Sequence, residues 1–580
     1  MVKTCIYDRN IGNFVNESPW IRPNRPWLKG KENFNLPKTL NYPDLEGAYC
    51  LLKKSAEEFP NNMAFYFKPK GEKFTFLETS YNADIIANSL VNEYGIKKGD
   101  GIACMVPNCS EFIFAVYGIL ESGGILIPIN PLLKKKEVNH IATNAEIIKV
   151  FIVGEDQYGI IKRSTKDLDI EDIIIISDKE NLEKRTFTEI LRENPAKQPK
   201  VNINIKEDLA ALLYTGGTTG LPKGVMLTHS NIISNSLQFM YTGAHGTGAD
   251  STDVYEYVVS QLGKSTAITT NPLCHGMGFF ILNSCITGGI TLIIDQFDPE
   301  RLLRLVDKYK VMSFTGIPAM YNFVMNHPYF EKFSGESLKF AGSGASPLAP
   351  KLAEKWQKKT GLKVANAYGL TEVTCMATVP QIWTDIIPES ISYPIIDTDA
   401  KIVDPPNYID EVPFGTPGEL LVRGPQVMKG YWKNKEATDS TLIKDNEGRI
   451  WLRTGDIAKM DENGFLYIVG RSKEQIKYKG YRILPAEVES SLYDHPAVLE
   501  CGVIGIPDET VGETIKAFIK LKPEYKDKIT EQDIIEWSKE NMAGYKWPRK
   551  IEFVPFIPKT PVGKVLRRKL LEDELKKVHY

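Results

Sequence analysis

The sequence predicts an α/β protein. We expect a large N-terminal domain, made of two α/β subdomains with mostly parallel sheets and a small β-barrel, and a small α+β C-terminal domain. Three observations predict it. At 580 residues the chain is too long for a single core. From Lys98 onward, strand and helix patterns alternate. After residue 390 the helical patterns give way to short β runs, and the last part of the chain is more basic.

The composition is that of a globular protein, with 42% hydrophobic and 25% charged residues. The net charge of −2 gives no reason to expect nucleic-acid binding or attraction to an anionic membrane. No apolar run predicts a transmembrane or signal segment, so only peripheral membrane contact stays open. The eight cysteines are scattered, without the CxxC pairs of a zinc site. We expect a cytoplasmic protein, either a monomer or a homodimer.

The N-terminal part of the chain predicts an arm, a helix and a first sheet. Residues 1–45 are rich in Pro, Asn and Trp, and we expect an extended arm lying on the main body. An amphipathic helix is expected over 46–60 and a further helix over 110–122. Apolar runs predict the strands of a largely parallel sheet, which is covered on both faces: 101–107, 123–131, 150–153, 173–176 and 209–214.

The second half repeats this alternation and then changes. The polar stretch 241–265 predicts an insertion or a mobile loop. A helix is expected over 299–309, with strands near 311–315 and 338–342. The short runs between 390 and 470 predict the small β-barrel or sandwich.

The chain is predicted to divide near residue 470. Residues 471–580 contain 21 Lys and Arg against 18 Asp and Glu, whereas the rest of the chain is net acidic. A basic lid over an acidic ligand has such a charge, and so does an ordinary solvated surface. We expect an N-terminal domain over 1–470 and a separate C-terminal lid domain over 471–580.

A loop rich in glycine and threonine follows the strand at 209–214. It reads Thr215-Gly216-Gly217-Thr218-Thr219-Gly220-Leu221-Pro222-Lys223-Gly224. Glycines let a backbone approach a ligand, and successive N–H groups form an anion site. Lys223 adds a point charge suited to phosphate. A plain surface turn rarely has this composition, and a Walker A loop would need Ser or Thr where Gly224 stands. The loop therefore predicts a phosphate site of another kind.

Four further segments carry residues suited to a nucleotide or a metal. They are Tyr368-Gly369-Leu370-Thr371-Glu372, Thr454-Gly455-Asp456, Gly470 to Arg482, and Pro558 to Arg568. Glu372 is a ligand of the kind that Mg²⁺ prefers, and Asp456 has two acceptor oxygens that fit a vicinal diol. Two prolines and a glycine hold a turn that presents Lys564. Taken singly, each segment has a plainer interpretation: an exposed Glu, a turn-capping Asp, a basic hairpin or a basic tail.

Taken together and in this order, the five segments resemble those of the adenylate-forming superfamily. Its members include acyl-CoA synthetases, peptide-synthetase adenylation domains and firefly-type luciferases. The chain looks most like the medium- and long-chain fatty acid–CoA ligases, and the resemblance covers most of residues 46–570. It implies ATP-dependent activation of a carboxylic acid to an acyl-AMP, followed by transfer to coenzyme A. ATP, Mg²⁺ and coenzyme A are the implied cofactors and co-substrates.

The resemblance also implies roles for individual residues. Catalytic roles are implied for Lys564, Thr371, Glu372, His275 and Lys477, with Glu372 also holding the metal. Nucleotide or co-substrate contacts are implied for Thr215, Gly216, Gly217, Thr218, Thr219, Gly220, Lys223, Gly344, Ala345, Ser346, Tyr368, Gly369, Asp456, Arg471, Lys479 and Gly480. The C-terminal domain is implied to rotate about a hinge near Lys473 after adenylation. That rotation withdraws Lys564 and brings in the face that carries Lys477.

Three positions bear on the acid that is bound. Cys274 stands where the family usually has an aromatic residue, and Ser346 replaces the usual Ala. Gly369 stands where acetate-specific relatives carry Trp, so we expect room for a longer acid. The resemblance thus implies a medium- or long-chain fatty acid. A short hydroxy acid, an aryl acid, a carrier-protein acceptor, a luciferase-like oxygenase and a nucleotide-binding module without turnover stay open as alternatives.

Overall fold

The computed structural model describes most of the chain. The described residues are 12–13, 18–28, 39–166, 168, 170, 172–179, 182–215, 222–242, 260–344, 350–380, 386–387, 389–404, 408, 410–471, 474, 476–478, 481–508, 512–559 and 565–578. Two compact units can be distinguished. The first comprises Met1–Asp399 and Val422–Leu452, and the second comprises Ala400–Leu421 and Arg453–Tyr580. The sequence-based division at residue 470 stays a prediction.

The first unit contains a seven-stranded sheet that confirms the strands predicted before residue 215. Its order across the sheet is Gly430–Tyr431, Lys223–Thr228, Leu209–Thr215, Ile125–Pro128, Gly101–Met105, Ile148–Gly154 and Asp172–Ile176. The last five strands are parallel to one another. The first two pair antiparallel at one edge. Leu212, Ile127 and Phe151 are among the buried residues of one face, as the near-continuous apolar runs predict.

A second seven-stranded sheet also lies in the first unit. Its order is Ala365–Asn366, Phe340–Ser343, Ser313–Gly316, Thr266–Thr269, Thr291–Ile294, Met63–Phe67 and Glu72–Thr75. All neighbours are parallel except the last pair. Trp356, Phe314 and Tyr321 are part of its buried core. Because most strands are parallel, their carboxyl ends open onto one edge, where ligands bind in open α/β sheets.

The helices of the first unit connect these strands. They are Cys50–Glu58, Phe76–Asn92, Ser110–Glu121, Lys135–Ala145, Glu155–Ser164, Phe187–Glu193, His229–Tyr241, Gly276–Thr287, Pro299–Tyr309, Pro318–Asn326, Pro350–Thr360 and Lys435–Thr441. The predicted helices over 110–122 and 299–309 are confirmed. The helix predicted over 46–60 is shorter at both ends, because Pro60 disfavours helical geometry at Phe59 and residues 46–49 precede the first turn. Thr228 caps its helix by accepting from the N–H of Asn231.

The arm predicted at the N-terminus lies on the first unit, as far as it is described. Asp397 accepts hydrogen bonds from the Leu40 N–H at 3.0 Å and the Tyr42 hydroxyl at 2.9 Å. Asp399 accepts from Arg22 Nε at 2.7 Å. Both carboxylates are fully buried, so the arm supplies the partners that their charges require.

Short strands occupy the stretch from 390 to 470, as predicted. They are Tyr393–Pro394, Asp399–Val403, Gly418–Arg423, Gly430–Tyr431, Leu442–Lys444, Ile450–Met460 and Leu466–Arg471. Of these, Gly430–Tyr431 pairs with the first large sheet. Leu442–Lys444 lies antiparallel to the start of Ile450–Met460, and Leu466–Arg471 is antiparallel to its end.

The second unit contains an α+β region near the C-terminus. Its sheet has the strands Tyr481–Ile483, Ile476–Tyr478, Gly512–Leu521, Val498–Asp508 and Lys550–Phe553. The helices Pro485–Leu492, Glu531–Asn541 and Arg567–Val578 accompany it. Val503, Ile515 and Ile534 are fully buried in its core. This is the mixed fold predicted for the C-terminal part of the chain. Within the described residues, no helix combines the length and apolarity needed to cross a bilayer.

Candidate active site

The predicted phosphate loop connects two paired strands of the first sheet. Thr215 ends one strand and Lys223 begins the next, and the two residues face each other in the antiparallel register. Strand pairing thus resumes at Lys223, within the ten residues of the predicted loop. The intervening residues 216–221, which include the predicted contacts Gly216, Gly217, Thr218, Thr219 and Gly220, lie outside the described residues.

A helix of the first unit supports both ends of this loop. His140 Nε2 lies 3.0 Å from the carbonyl oxygen of Pro222. The Tyr214 hydroxyl donates to Asn144 Oδ1 at 2.8 Å, and Trp432 Nε1 donates to the Asn144 carbonyl at 3.2 Å. The helix Lys135–Ala145 therefore fixes the residues that precede and follow the loop, so the loop has a rigid base.

The segment Tyr368–Glu372 lies beyond the edge of the second sheet. The backbone of Tyr368 pairs with that of Thr378. Between them the chain makes a tight turn, in which a Cβ built on Gly369 would stand 1.5 Å from the carbonyl oxygen of Cys375. The direction in which a side chain would leave position 369 is thus filled by backbone. The absence of a side chain there is required by the turn, and it does not by itself leave room for a longer acid.

Thr374 carries backbone strain next to this segment. Its φ is +66°, a left-handed conformation that is rare for a β-branched residue. The Thr374 hydroxyl donates to the carbonyl of Gln426 at 2.8 Å, and the buried Gln426 amide donates to Thr398 Oγ1 at 2.7 Å. Such strain persists where the surroundings over-determine the backbone, and it is concentrated at functional sites.

Glu372 and Lys223 contact the same tyrosine. The Tyr431 hydroxyl donates to Glu372 Oε1 at 2.8 Å, and the Lys223 ammonium lies 5.1 Å from the centroid of the Tyr431 ring. Burial and the neighbouring Glu372 carboxylate raise the pKa of Tyr431, so its hydroxyl remains a hydrogen-bond donor. The structure thus brings the predicted metal ligand and the predicted phosphate lysine to one residue.

The segment around His275 lies beside Thr371. His275 precedes the helix Gly276–Thr287 and is itself exposed. A Cβ built on Gly276 would lie 3.4 Å from Thr371 Oγ1, and one built on Gly344 would lie 2.4 Å from Met277 Cε. The three predicted residues His275, Gly344 and Thr371 therefore come from neighbouring segments at the carboxyl edge of the second sheet.

The cysteines beside these segments are not nucleophiles. Cys274 precedes His275, and burial raises the pKa of its thiol to about 12. Burial raises the pKa of Cys375 to about 12 as well. Because the thiolate is the reactive form of cysteine, neither side chain is suited to covalent catalysis at neutral pH.

Asp456 and Arg471 face each other across two strands of the second unit. They are paired in the antiparallel register, and Arg471 Nε lies 2.9 Å from Asp456 Oδ1. Asp456 is nearly fully buried. The two residues predicted to contact the ribose are therefore brought together, and Arg471 orients the Asp456 carboxylate.

The remaining predicted residues lie wholly or partly outside the described part of the chain. Lys477 lies in the strand Ile476–Tyr478, opposite Arg482, but its side chain is not described. The backbones of Lys559 and Val565, which precede and follow the segment of Lys564, are bridged. Ala345, Ser346, Lys473, Lys479, Gly480 and Lys564 lie outside the described residues.

The segment 425–432 also belongs to the site, although no sequence pattern predicts it. In addition to the contacts of Tyr431, the Met428 N–H donates to the Glu372 carbonyl at 2.9 Å, and the Trp432 N–H donates to the Gly224 carbonyl at 2.8 Å. The segment thus connects the strand that follows the phosphate loop to the backbone of Glu372. A strand of only two residues leaves no periodicity in the sequence, so no pattern signals its pairing.

The chain matches known families over most of its length. Residues 52–432 match the family model described as AMP-binding enzyme, and residues 487–564 match AMP-binding enzyme C-terminal domain. The long-chain-fatty-acid–CoA ligase of Bacillus subtilis (strain 168) is 34% identical, and the alignment covers 96% of this chain and 100% of that protein.

Solved structures are similar over the same range. ATP-bound MatB from Rhodopseudomonas palustris superposes with a TM-score of 0.80 at 26% identity, covering 91% of this chain and 99% of that one. The anthranilate CoA ligase AuaEII in complex with anthranoyl-AMP gives 0.79 at 27% identity, covering 93% and 99%.

Proposed function

Because the chain belongs to the family of AMP-binding enzymes, we propose that it is an AMP-forming acid:CoA ligase. It activates a carboxylic acid with ATP and transfers the acyl group to the thiol of coenzyme A. The observation that carries the proposal is the pairing of Lys223 and Glu372 on Tyr431. This arrangement holds a cation for phosphate and an anion for a metal beside a glycine-rich loop.

The proposed reaction overcomes the poor electrophilicity of a carboxylate. A carboxylate oxygen attacks the α-phosphorus of ATP, the bond to the β-phosphate oxygen breaks, and diphosphate leaves. The thiol of coenzyme A then attacks the acyl carbon, AMP leaves, and the thiol proton passes to solvent. Adenylation replaces oxide, a poor leaving group, by AMP, a good one, and the thiol can then displace AMP, so activation is divided into two easier transfers.

The first half-reaction assigns roles to residues of the first unit. Lys223 and the loop from Thr215 to Gly220 hold the β- and γ-phosphates, since backbone N–H groups and an ammonium stabilise the charge that diphosphate gains. Thr371 donates to the α-phosphate. Tyr368 and the segment Gly344–Ser346 hold the adenine, and His275 lies toward the acid.

Mg²⁺ fits the residues that the structure describes. Mg²⁺ is commonly held by one or two carboxylates together with substrate phosphates and water. No cluster of three or more His, Cys, Asp or Glu occurs among the described residues. Glu372 supplies one carboxylate, whose described hydrogen bond is the one from Tyr431. When bound, the metal would neutralise charge on the phosphates.

The C-terminal residues complete the proposal. Asp456 accepts from the ribose hydroxyls, and Arg471 contacts ribose or phosphate. Lys564 stabilises the α-phosphate during adenylation, while Lys477 and the backbone of Lys479 and Gly480 serve thioester formation. We propose residues 1–470 as the adenylation domain and 471–580 as a lid that turns near Lys473.

A long-chain fatty acid is the substrate that the relatives favour. The Bacillus subtilis relative is named for that substrate and aligns with nearly the whole chain. An aryl acid is the second candidate, because the similar structure of AuaEII holds anthranoyl-AMP. Glycine at position 369 does not distinguish a fatty acid from an aryl acid, because the nearby Cys375 carbonyl already excludes a side chain there.

Diphosphate release by the purified protein tests the proposal. It would be measured with ATP and Mg²⁺, with acids from acetate to palmitate and with anthranilate, each with and without coenzyme A. Turnover that needs coenzyme A and peaks at eight carbons or more supports a fatty acyl-CoA ligase. A peak with anthranilate would support the proposed reaction with an aryl acid as the substrate. No release of diphosphate with any acid would contradict the proposed reaction.

A further inference from the structure

We propose that Tyr431 is a positioning residue for metal-bound ATP, which keeps the Glu372 carboxylate and the Lys223 ammonium apart and holds each for its own ligand. The inference rests on the proposed function, because it assigns the two charges to the metal and the triphosphate. It concerns a residue that touches neither the reacting acid nor the thiol.

The two charges present a problem to an enzyme that needs both. A lysine and a glutamate beside the same small site attract each other. A direct ion pair would occupy the oxygen lone pairs that a metal requires and would hold the ammonium away from phosphate. Among the described residues, neither Lys223 nor Glu372 has an ion-pair partner. Both of them contact Tyr431 instead.

Tyr431 satisfies the two charges in different ways. Its ring face attracts the Lys223 ammonium through the negative end of the ring quadrupole. Its hydroxyl donates to one oxygen of Glu372, which leaves lone pairs of the carboxylate for a metal. Each contact is weaker than an ion pair, so a phosphate or a metal ion can compete with it.

The surroundings of Tyr431 fix its position. Its backbone pairs with Val225, two residues after Lys223, and its N–H donates to Thr438 Oγ1 at 2.9 Å. The residue is only 9% exposed. Glu372 is fixed from the other side, because its carbonyl accepts from the Met428 N–H at 2.9 Å. A partner outside the coordination sphere that fixes a ligand in this way tunes metal affinity.

The chain offers a matched control. Tyr467 in the second unit has the same two kinds of contact, with its hydroxyl 3.1 Å from Asp461 Oδ2 and the Lys459 ammonium 5.5 Å from its ring centroid. It lies outside the residues assigned to the site. Tyr467→Phe therefore removes a comparable phenol–carboxylate bond without touching Glu372.

Calorimetric titration with ATP tests the inference, in Mg²⁺ and separately in EDTA. Tyr431→Phe keeps the ring and should weaken binding of MgATP about tenfold, while binding of ATP in EDTA changes less than about twofold. Tyr431→Leu removes both contacts and should weaken both. Tyr467→Phe should change neither. Thermal unfolding midpoints within about 2 °C of wild type would show that each variant is folded.

A double-variant cycle separates positioning from general structural damage. If Tyr431 acts through the carboxylate, Tyr431→Phe should cost little further MgATP affinity in a Glu372→Gln background. Unchanged MgATP affinity in folded Tyr431→Phe, or additive losses in the cycle, would overturn the inference. If the wild-type protein binds MgATP but releases diphosphate with no acid, the proposed reaction is wrong. The double-variant cycle on MgATP affinity still tests the role of Tyr431 in that case. If wild type binds no MgATP, both are overturned.

Discussion

Gly369 lies against the carbonyl oxygen of Cys375 so closely that a Cβ on Gly369 would come within 1.5 Å of that oxygen. This close approach of two backbone segments fixes the turn that contains Thr371 and Glu372. The same turn continues into the strained backbone of Thr374. Glycine at 369 is therefore a requirement of the backbone that carries the predicted metal ligand.

Gly369→Ala should impair the enzyme through its backbone. Relieving the overlap requires a shift of the turn, which should cost about 1–3 kcal/mol of stability and displace Glu372 from Tyr431. We expect adenylation to fall at least about tenfold for every acid tested, short or long. Diphosphate release with acetate, octanoate and palmitate would be measured together with the urea midpoint.

Gly544→Ala is the control for this prediction. A Cβ at Gly544 would meet no atom within 4 Å, so the variant should keep wild-type activity and stability. If Gly369→Ala lost activity only with long acids, position 369 would act through the size of the acid pocket, and the backbone explanation would be wrong.

Lys223→Met should reduce adenylation without destabilising the fold. The Lys223 ammonium forms no ion pair with any described residue, and its described contact is the face of the Tyr431 ring. Removing a cation that stabilises charge in the transition state should lower the rate of diphosphate exchange about 100-fold. The thermal midpoint should stay within about 2 °C of wild type. Exchange at the wild-type rate would remove Lys223 from the phosphate site.

Lys564→Ala should separate the two half-reactions. If Lys564 stabilises the α-phosphate only during adenylation, the variant should lose acid-dependent diphosphate exchange. It should still form thioester from preformed acyl-AMP and coenzyme A. The backbones of Lys559 and Val565, on either side of position 564, are paired, so the alanine is placed between fixed ends. An equal loss of both half-reactions would contradict the assignment of separate residues to them.

The sequence predicts those parts of the molecule that depend on local patterns. Apolar runs locate the strands around Gly101, Ile148 and Leu209, because burial on both faces leaves a continuous signal. The helix Pro299–Tyr309 is located by helical spacing of its apolar residues, since only one face is buried. The resemblance identifies Lys223 and Glu372. It does not reveal Tyr431, because that contact joins residues 59 positions apart along the chain. Nor does it reveal why residue 369 is glycine, since the Cys375 carbonyl reaches it only in the folded turn.

Arg22→Ala should destabilise the first unit, because Asp399 would keep a buried charge with fewer partners. Arg22 donates to Asp399 from both Nε and its backbone N–H, and Arg25 Nε lies 3.5 Å from the same carboxylate. Breaking a buried pair by removing one partner costs about 3–5 kcal/mol; since the backbone N–H and Arg25 remain, we expect about 3 kcal/mol. Urea unfolding and limited proteolysis of the arm would measure it.

Arg304→Ala provides the comparison for the arm variant. Arg304 pairs with Glu300 at 2.6 Å on an exposed helix face, and exposed pairs contribute about 0–1 kcal/mol. If Arg22→Ala cost no more than Arg304→Ala, and the arm were cleaved no faster than in wild type, the Asp399 carboxylate would not hold the arm.

His229 should give the fold an acid-sensitive contribution to stability. The ring is buried and its Nδ1 accepts a hydrogen bond from the Ala48 N–H at 3.1 Å. Burial lowers the pKa of His229 to about 4, opposed in part by the charge of Asp208, against about 6.5 when unfolded. Between these values the unfolded chain binds the extra proton, so stability rises with pH across this window and is fully present above it. The difference corresponds to about 3 kcal/mol.

His229→Asn tests this contribution, because asparagine keeps an acceptor for Ala48 and cannot titrate in this range. The free energy of unfolding, measured in urea from pH 4.5 to 7.5, should rise less steeply with pH than in wild type. His327→Asn is the control, since His327 Nδ1 also accepts a backbone N–H, that of Tyr329 at 3.2 Å, but its side chain is 31% exposed. The variant controls for the substitution itself and should keep the slope of wild type. Equal slopes in wild type and His229→Asn would show that the buried ring does not limit stability in acid.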